Sequence, residues 1–246
     1  MKNFRMKLTY DGTRYKGWQR LGGGENTIQA KLENVLSRLL ETQVEVIGSG
    51  RTDAGVHALG QVANFHADTD LTAGQILAAL RQHLPEDIGV LSVEEAEPRF
   101  HSRLNAVGKT YRYRIWNSSA PCVFQRKYLW RVEEELDLSA MEQGVEKLLG
   151  THDFLAFCSN KHFKKSSVRT LREIRIFRNG DELVLDVTGD GFLYNMVRII
   201  VGTLVEIGLG TRSAEEIPGI LESRRSENAG ITAPACGLCL MEVEYP

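Results

Sequence analysis

The run Gly48-Ser49-Gly50-Arg51-Thr52-Asp53-Ala54-Gly55-Val56-His57-Ala58 sets one carboxylate, Asp53, among small residues and two positions from a guanidinium, Arg51. Gly50 and Gly55 permit turn geometries closed to other residues and leave space for a ligand to approach. A nearby guanidinium favours the ionised carboxylate. An ionised Asp beside a ligand acts as nucleophile or general base. A lone Asp-x-Gly marks only a turn, and side chains two apart in a loop need not touch. The string as a whole therefore carries more weight than the turn within it.

Two further residues have types that such a carboxylate can use. Arg198 lies in the apolar stretch Tyr194-Asn195-Met196-Val197-Arg198-Ile199-Ile200-Val201. A cation there is expected to be buried on at least one side, and a buried charge requires a partner. Asp53 is the candidate partner and Asp190 the rival; snorkelling to the surface or bonding to backbone carbonyls is the alternative. Tyr111 sits on a basic strand, where an aromatic face suits stacking on a nucleobase while nearby cations hold phosphates. Alternation with Tyr113 and Ile115 equally fits a core strand. Cys236-Gly237-Leu238-Cys239 has the spacing of half a zinc site, but Cys122 and Cys158 form no second pair, so buried thiols are expected and no metal.

Formal net charge is −2, from 30 Lys+Arg against 32 Asp+Glu, so total charge names no partner. Its distribution does more. From Arg99 to Arg131 the chain carries Arg99, Arg103, Lys109, Arg112, Arg114, Arg126, Lys127 and Arg131 with no intervening acid. A second basic stretch holds Lys161, Lys164, Lys165, Arg169 and Arg172. Such segregation can build a positive face for phosphates, with Lys109, Arg112, Lys161, Lys164, Lys165 and Arg169 as candidate contacts to a nucleic-acid backbone. Two solvated basic loops are the plainer reading. There is no P-loop or dinucleotide fingerprint. Ile199 to Val205 is too short to span a bilayer. Met1 to Arg5 lacks the apolar core of a signal peptide, and four cysteines fit a reducing compartment, so a cytoplasmic protein without a membrane partner is expected.

The elements that must position these groups follow from periodicity. Met6 to Tyr10 reads as a strand. Asn26 with Gln29 reads as the capping box of a helix bearing Ile28, Leu32, Val35, Leu36, Leu39 and Leu40. Val44 to Ile47 is a strand ending at Gly48, which puts Asp53 on a strand-end loop. Gln61 to Phe65 is a further strand, and Thr72 with Gln75 opens a second helix. In the other half, a strand runs from Lys109, Ser139 with Glu142 caps a helix ending at Gly150, and Asn179-Gly180 turns a hairpin between Glu173–Arg178 and Glu182–Val187. Phe192 to Ile207 reads as an apolar helix and Gly237 to Tyr245 as a last strand. Hairpins with helices in both halves argue for an α+β chain rather than a doubly wound parallel sheet. Two lobes are expected, 1–108 and 109–246, each a mixed or antiparallel sheet backed by helices.

The Asp53 string occurs with Tyr10-Asp11-Gly12, Gly17-Trp18-Gln19, Asn26-Thr27-Ile28-Gln29, Phe100-His101-Ser102-Arg103, Lys109-Thr110-Tyr111-Arg112-Tyr113, Gly150-Thr151-His152-Asp153-Phe154, Gly191 to Arg198 and Ala233 to Leu238. In this joint order they resemble the tRNA pseudouridine synthase A (TruA) family across almost the whole chain. Leu21 and Leu104 depart from the common pattern without touching the chemistry. The resemblance implies two pseudo-symmetric lobes with a basic cleft between them and isomerisation of uridine to pseudouridine in the tRNA anticodon stem-loop. It implies Asp53 as the catalytic carboxylate, attacking or removing a proton, and Arg198 as the cation that keeps it charged and oriented. Tyr111 stacks on the uracil and can assist deprotonation at C5; Arg51 helps to expel or hold the base. No metal or organic cofactor is implied, and the enzyme is a homodimer. The competing readings are a non-catalytic RNA-binding module or tRNA chaperone, and an enzyme using Cys236 and Cys239.

Overall fold

Every second residue from Phe4 to Tyr10 is apolar and buried, which makes Lys2–Tyr10 (β1) the spine of a sheet. The computed structural model describes residues 1–24, 26–160 and 166–246. These residues form two units, one of residues 1–107 with 239–246 and the other of residues 108–238. Lys161, Lys164 and Lys165 lie outside the described residues.

In the first unit β1 is followed by α1 (Ile28–Leu39), β2 (Ile47–Gly48), β3 (His57–Ala67), α2 (Ala73–His83) and β4 (Ile88–Ala96). The strand order is β4-β1-β3, all antiparallel, with Met6 opposite both Ala63 and Val93. β2 adds to β3 through Ile47–Asn64 and Gly48–Ala63. Ile28, Leu32 and Leu36 of α1 and Ile76 and Leu80 of α2 have no exposed surface, as their helical spacing requires. The Thr72–Gln75 capping box forms as expected.

Two local expectations are corrected here. α1 is capped by Thr27, whose Oγ1 accepts the Ala30 N–H at 3.3 Å, while Asn26 donates its Nδ2 to the Arg14 carbonyl. The strand expected over Val44–Ile47 is shortened to Ile47–Gly48. The reason is that the N–H groups of Val44 and Val46 go to Ser37 Oγ and Glu33 Oε1 of α1, not to a ladder.

The second unit contains β5 (Gly108–Asn117), β6 (Trp130–Val132), α3 (Leu138–Leu148), β7 (Gly150–Asp153), β8 (Val168–Asn179), β9 (Glu182–Gly189), α4 (Met196–Gly208) and α5 (Ile217–Ser223). Its strand order is β5-β9-β8-β7, antiparallel throughout, with β6 parallel to β5. The Asn179-Gly180 hairpin is present, with Gly180 at φ +61°. α3 is capped by Asp137, whose Oδ1 accepts the Ala140 N–H, rather than by Ser139, and Gly150 opens β7. α4 begins at Met196 and not at Phe192, because Asn195 takes a left-handed conformation at φ +61° that ends any helical path from the N-terminal side.

The last strand, β10 (Leu238–Glu244), pairs in parallel with β3 through Cys239–His57 and Leu240–Ala58. Residues 239–246 thus group with the first unit, whereas the expected boundary at 108/109 carries them with the second. The chain is α+β with mixed sheet. Among the described residues no helix is long and apolar enough to cross a membrane.

Candidate active site

Asp53 sits in the loop joining β2 to β3, partly exposed, between exposed Arg51 and Ala54; Thr52 is buried. The Val56 N–H donates to the Asp53 carbonyl at 3.1 Å, closing a turn in which Gly55 has φ +80°. Buried side chains grip the loop. Gln61, on β3, donates Nε2 to the Gly50 carbonyl at 3.0 Å and accepts the Ser49 hydroxyl at 2.7 Å. Tyr10, at the end of β1, shares a 2.8 Å hydrogen bond with Thr52 Oγ1. Burial pushes the Tyr10 hydroxyl above its ordinary range, so it stays protonated and able to donate.

The segment after β1 completes the grip. The Gly55 N–H reaches the Tyr15 carbonyl at 3.3 Å, and the Trp18 N–H donates to the Thr52 carbonyl. Gly17 has φ +93°, and a Cβ there would lie 2.6 Å from the Thr52 oxygen, so only glycine fits against this loop. Sequence reasoning missed Tyr10 and Gln61 as holders of the loop. Both read as ordinary strand residues, and nothing in strand alternation says that their polar ends meet a loop.

In the second unit Tyr111 lies on β5 opposite Val187, 8 % exposed, with its ring edge-on to Phe192 at 5.2 Å. Tyr113 and Ile115, on the same face, are fully buried. On the other face Arg112 makes a two-pronged ion pair with Asp186 at 2.7 and 2.8 Å, and Arg114 pairs with Glu182. The basic strand is therefore partly neutralised by acids of β9, which sequence order alone does not show. Lys109 is half-buried, and Arg169 donates Nη1 to the carbonyls of Ser166 and Val168.

Arg198, half-buried on α4, donates Nε to the Ala233 carbonyl at 2.6 Å and Nη1 to Asn195 Oδ1 at 2.9 Å. Ala233 returns its N–H to the Arg198 carbonyl at 3.1 Å. Within this unit Arg198 thus bonds one backbone carbonyl and one side-chain amide oxygen. The strap 229–234 lies close on α4: a Cβ at Gly202 would meet the Ile231 oxygen, and the Gly230 N–H donates to Thr203 Oγ1. The Tyr113 hydroxyl, held above its ordinary range by burial, donates to the Pro234 carbonyl at 2.7 Å and so joins this strap to β5. Asp190 accepts the Thr170 N–H at 3.0 Å. The Cys236 thiol, pushed up by burial, points to the Leu129 carbonyl. Among the described residues no group of three or more His, Cys, Asp or Glu side chains could hold a metal. Asp53 and Arg51 thus belong to the first unit, and Tyr111 and Arg198 to the second.

Comparison with known proteins gives a consistent answer. A family model described as tRNA pseudouridine synthase matches residues 8–104 and 145–246. The tRNA pseudouridine synthase A 2 of Bacillus cereus (strain ZK / E33L) is 46% identical over 245 residues, covering 100% of both chains. The tRNA pseudouridine synthase A proteins of Bacillus sp. (strain KSM-64) and Acetivibrio thermocellus are 48% and 45% identical over the same full coverage. Among solved structures, a chain of a Cbf5-Nop10-Gar1 complex aligns over 97% of this chain and 58% of its own, at a TM-score of 0.38 and 9% identity, too distant to carry an argument. With full-length identity near one half and a family model spanning both halves, the chain belongs to the tRNA pseudouridine synthase A family of isomerases.

Proposed function

We propose that this chain converts uridine to pseudouridine in the anticodon arm of tRNA, with Asp53 as the catalytic carboxylate and without a metal or organic cofactor. The observation that supports it best is the way the Asp53 loop is held: Gln61 on Gly50, Tyr10 and Trp18 on Thr52, and Tyr15 on Gly55. A carboxylate presented on a loop bonded at these points is pre-organised for attack or proton removal.

The reaction breaks the bond between N1 of uracil and C1′ of ribose, turns the base, and joins C5 to C1′. The proton lost from C5 balances the one gained at N1, so no electrons enter or leave and no redox partner is needed. Asp53 acts in the glycosidic step. Tyr111 is assigned to stacking on the uracil and to assisting deprotonation at C5. Arg198 is assigned to holding the Asp53 carboxylate ionised, and its bonds to Ala233 and Asn195 fix the fork's direction. Arg51, exposed beside Asp53, is assigned to the base.

A base in a stem must leave its stack at a cost of a few kcal/mol. Cations on phosphates offset that cost, with Lys109, Arg112 and Arg169 assigned to this role. The protein is expected to act in the cytoplasm as a homodimer, and the exposed Val123 and Phe124 (94 % exposed) are apolar side chains that contact between two copies would cover.

The test is pseudouridine mapping in unmodified tRNA transcripts incubated with the protein and no additives. Product at anticodon-arm uridines supports the reading; tight, salt-dependent tRNA binding without product favours the RNA-binding module or chaperone instead.

A further inference from the structure

The segment Phe100–Asn105, after β4 in the first unit, is a surface turn bonded along its length. The His101 Nδ1 accepts the N–H groups of both Arg103 and Leu104 at 3.2 and 3.3 Å. Ser102 is fully buried: its N–H donates to Asn64 Oδ1 at 2.9 Å, and its carbonyl accepts the Tyr245 hydroxyl at 2.6 Å. Burial raises that hydroxyl above its ordinary range and keeps it a donor. At the apex of this braced turn Leu104 is 77 % exposed, with Arg103 exposed beside it.

Ser102 also links the turn to the candidate site. Its hydroxyl donates to the Ile47 carbonyl at 2.6 Å, and Ile47–Gly48 leads directly into the loop that carries Asp53. Ordering a surface turn costs backbone entropy, and Leu104 gives the core nothing in return. An apolar side chain and a guanidinium, displayed together on a rigid mount, match what an unstacked nucleoside and its phosphate offer.

We propose that Arg103 and Leu104 form a substrate-reading tip held in fixed register with Asp53: Leu104 packs against an unstacked nucleoside of the tRNA, and Arg103 takes an adjacent phosphate. The tip rests on the reading of this chain as a protein that acts on tRNA.

Filter binding of an unmodified tRNA transcript tests it, with pseudouridine formation measured separately on the same proteins. Leu104→Ala raises Kd about tenfold, and Leu104→Phe keeps wild-type binding. Arg103→Ala weakens binding and lowers the slope of log Kd against log salt by about one. Melting temperatures stay at the wild-type value, because both side chains lie in solvent. Ser102→Ala, which removes the bond to Ile47, slows single-turnover conversion about tenfold with Kd unchanged; an unaltered rate refutes the fixed register. A Leu104→Ala protein binding within twofold of wild type overturns the tip, whether or not product forms. Wild-type binding without product removes the chemistry assigned to Asp53, and the Kd series still decides the tip. A wild type that binds no tRNA ends both.

Discussion

The main-chain N–H of Trp18 donates to the carbonyl of Thr52 at 2.9 Å, one residue before Asp53. The same Trp18 places its buried ring against Gly48, where a Cβ would come within 2.6 Å of it. One residue therefore touches both the strand that enters the loop and the residue that immediately precedes the carboxylate. A hydrogen bond of this kind is worth about 1 kcal/mol net, and its larger effect is to remove alternative loop conformations.

Asp53→Ala is expected to lower pseudouridine formation at least about a thousandfold while tRNA Kd changes less than about threefold. Quantifying product in transcripts under single-turnover conditions checks this. Conversion at a tenth of the wild-type rate or more would remove Asp53 from the chemistry.

Gly17→Ala places a methyl group against the Thr52 carbonyl at a positive φ. The strain costs on the order of 2–3 kcal/mol and lowers Tm by about 5–10 °C. Because the displaced atoms adjoin Asp53, kcat should fall more than KM rises. Thermal melts with steady-state kinetics test the pair of effects; loss of stability with unchanged kcat would show that the grip on the loop is merely structural.

Arg198→Met keeps the apolar contacts of α4 and removes the charge. If Arg198 favours ionised Asp53, the acid limb of the kcat/KM profile moves to higher pH, because the carboxylate then protonates more readily. An acid limb that stays in place while turnover falls would assign Arg198 to the strap over Ala233 alone.

Asp87 gives the fold a defined response to acid. Burial works to raise its pKa, but hydrogen bonds from Tyr15 and Arg14 and the Arg14 charge outweigh it and hold the carboxyl below its usual 3.8. A depressed carboxylate contributes stability that is complete above the unfolded value, near pH 4, and is lost as pH falls through the lower folded value. Asp87→Asn should therefore be less stable than wild type at pH 7, with the gap closing as pH drops below 4. Urea unfolding across that range measures it, and a gap independent of pH contradicts the assignment. Since Tyr15 also accepts the Gly55 N–H, activity in the variant should fall together with stability.

Much of the scaffold was legible in the sequence. The strand read over Met6 to Tyr10 is the second half of β1, Thr72 with Gln75 identified the start of α2, and Asn179-Gly180 fixed the β8–β9 hairpin. These are local signals, set by backbone sterics and by which face of an element avoids water. Where distant side chains compete for the same backbone group, local signals fail. Val44 and Val46 have strand propensity, yet their N–H groups find Ser37 and Glu33 of a preceding helix. Apolar content extended α4 back to Phe192, but the left-handed turn at Asn195 starts it at Met196.

The candidate site divides in the same way. The sequence by itself determined the candidate types, Asp53 between glycines and Arg198 in an apolar helix, because residue identity and spacing limit the chemistry available. Tertiary structure alone decided that Gln61, Tyr10 and Trp18 converge on the Asp53 loop, that Asp186 neutralises Arg112, and that Cys239 and Leu240 return to pair with His57 and Ala58. Each of these joins residues far apart in the chain, and such contacts are set by sheet register and side-chain packing, which no short window of sequence encodes.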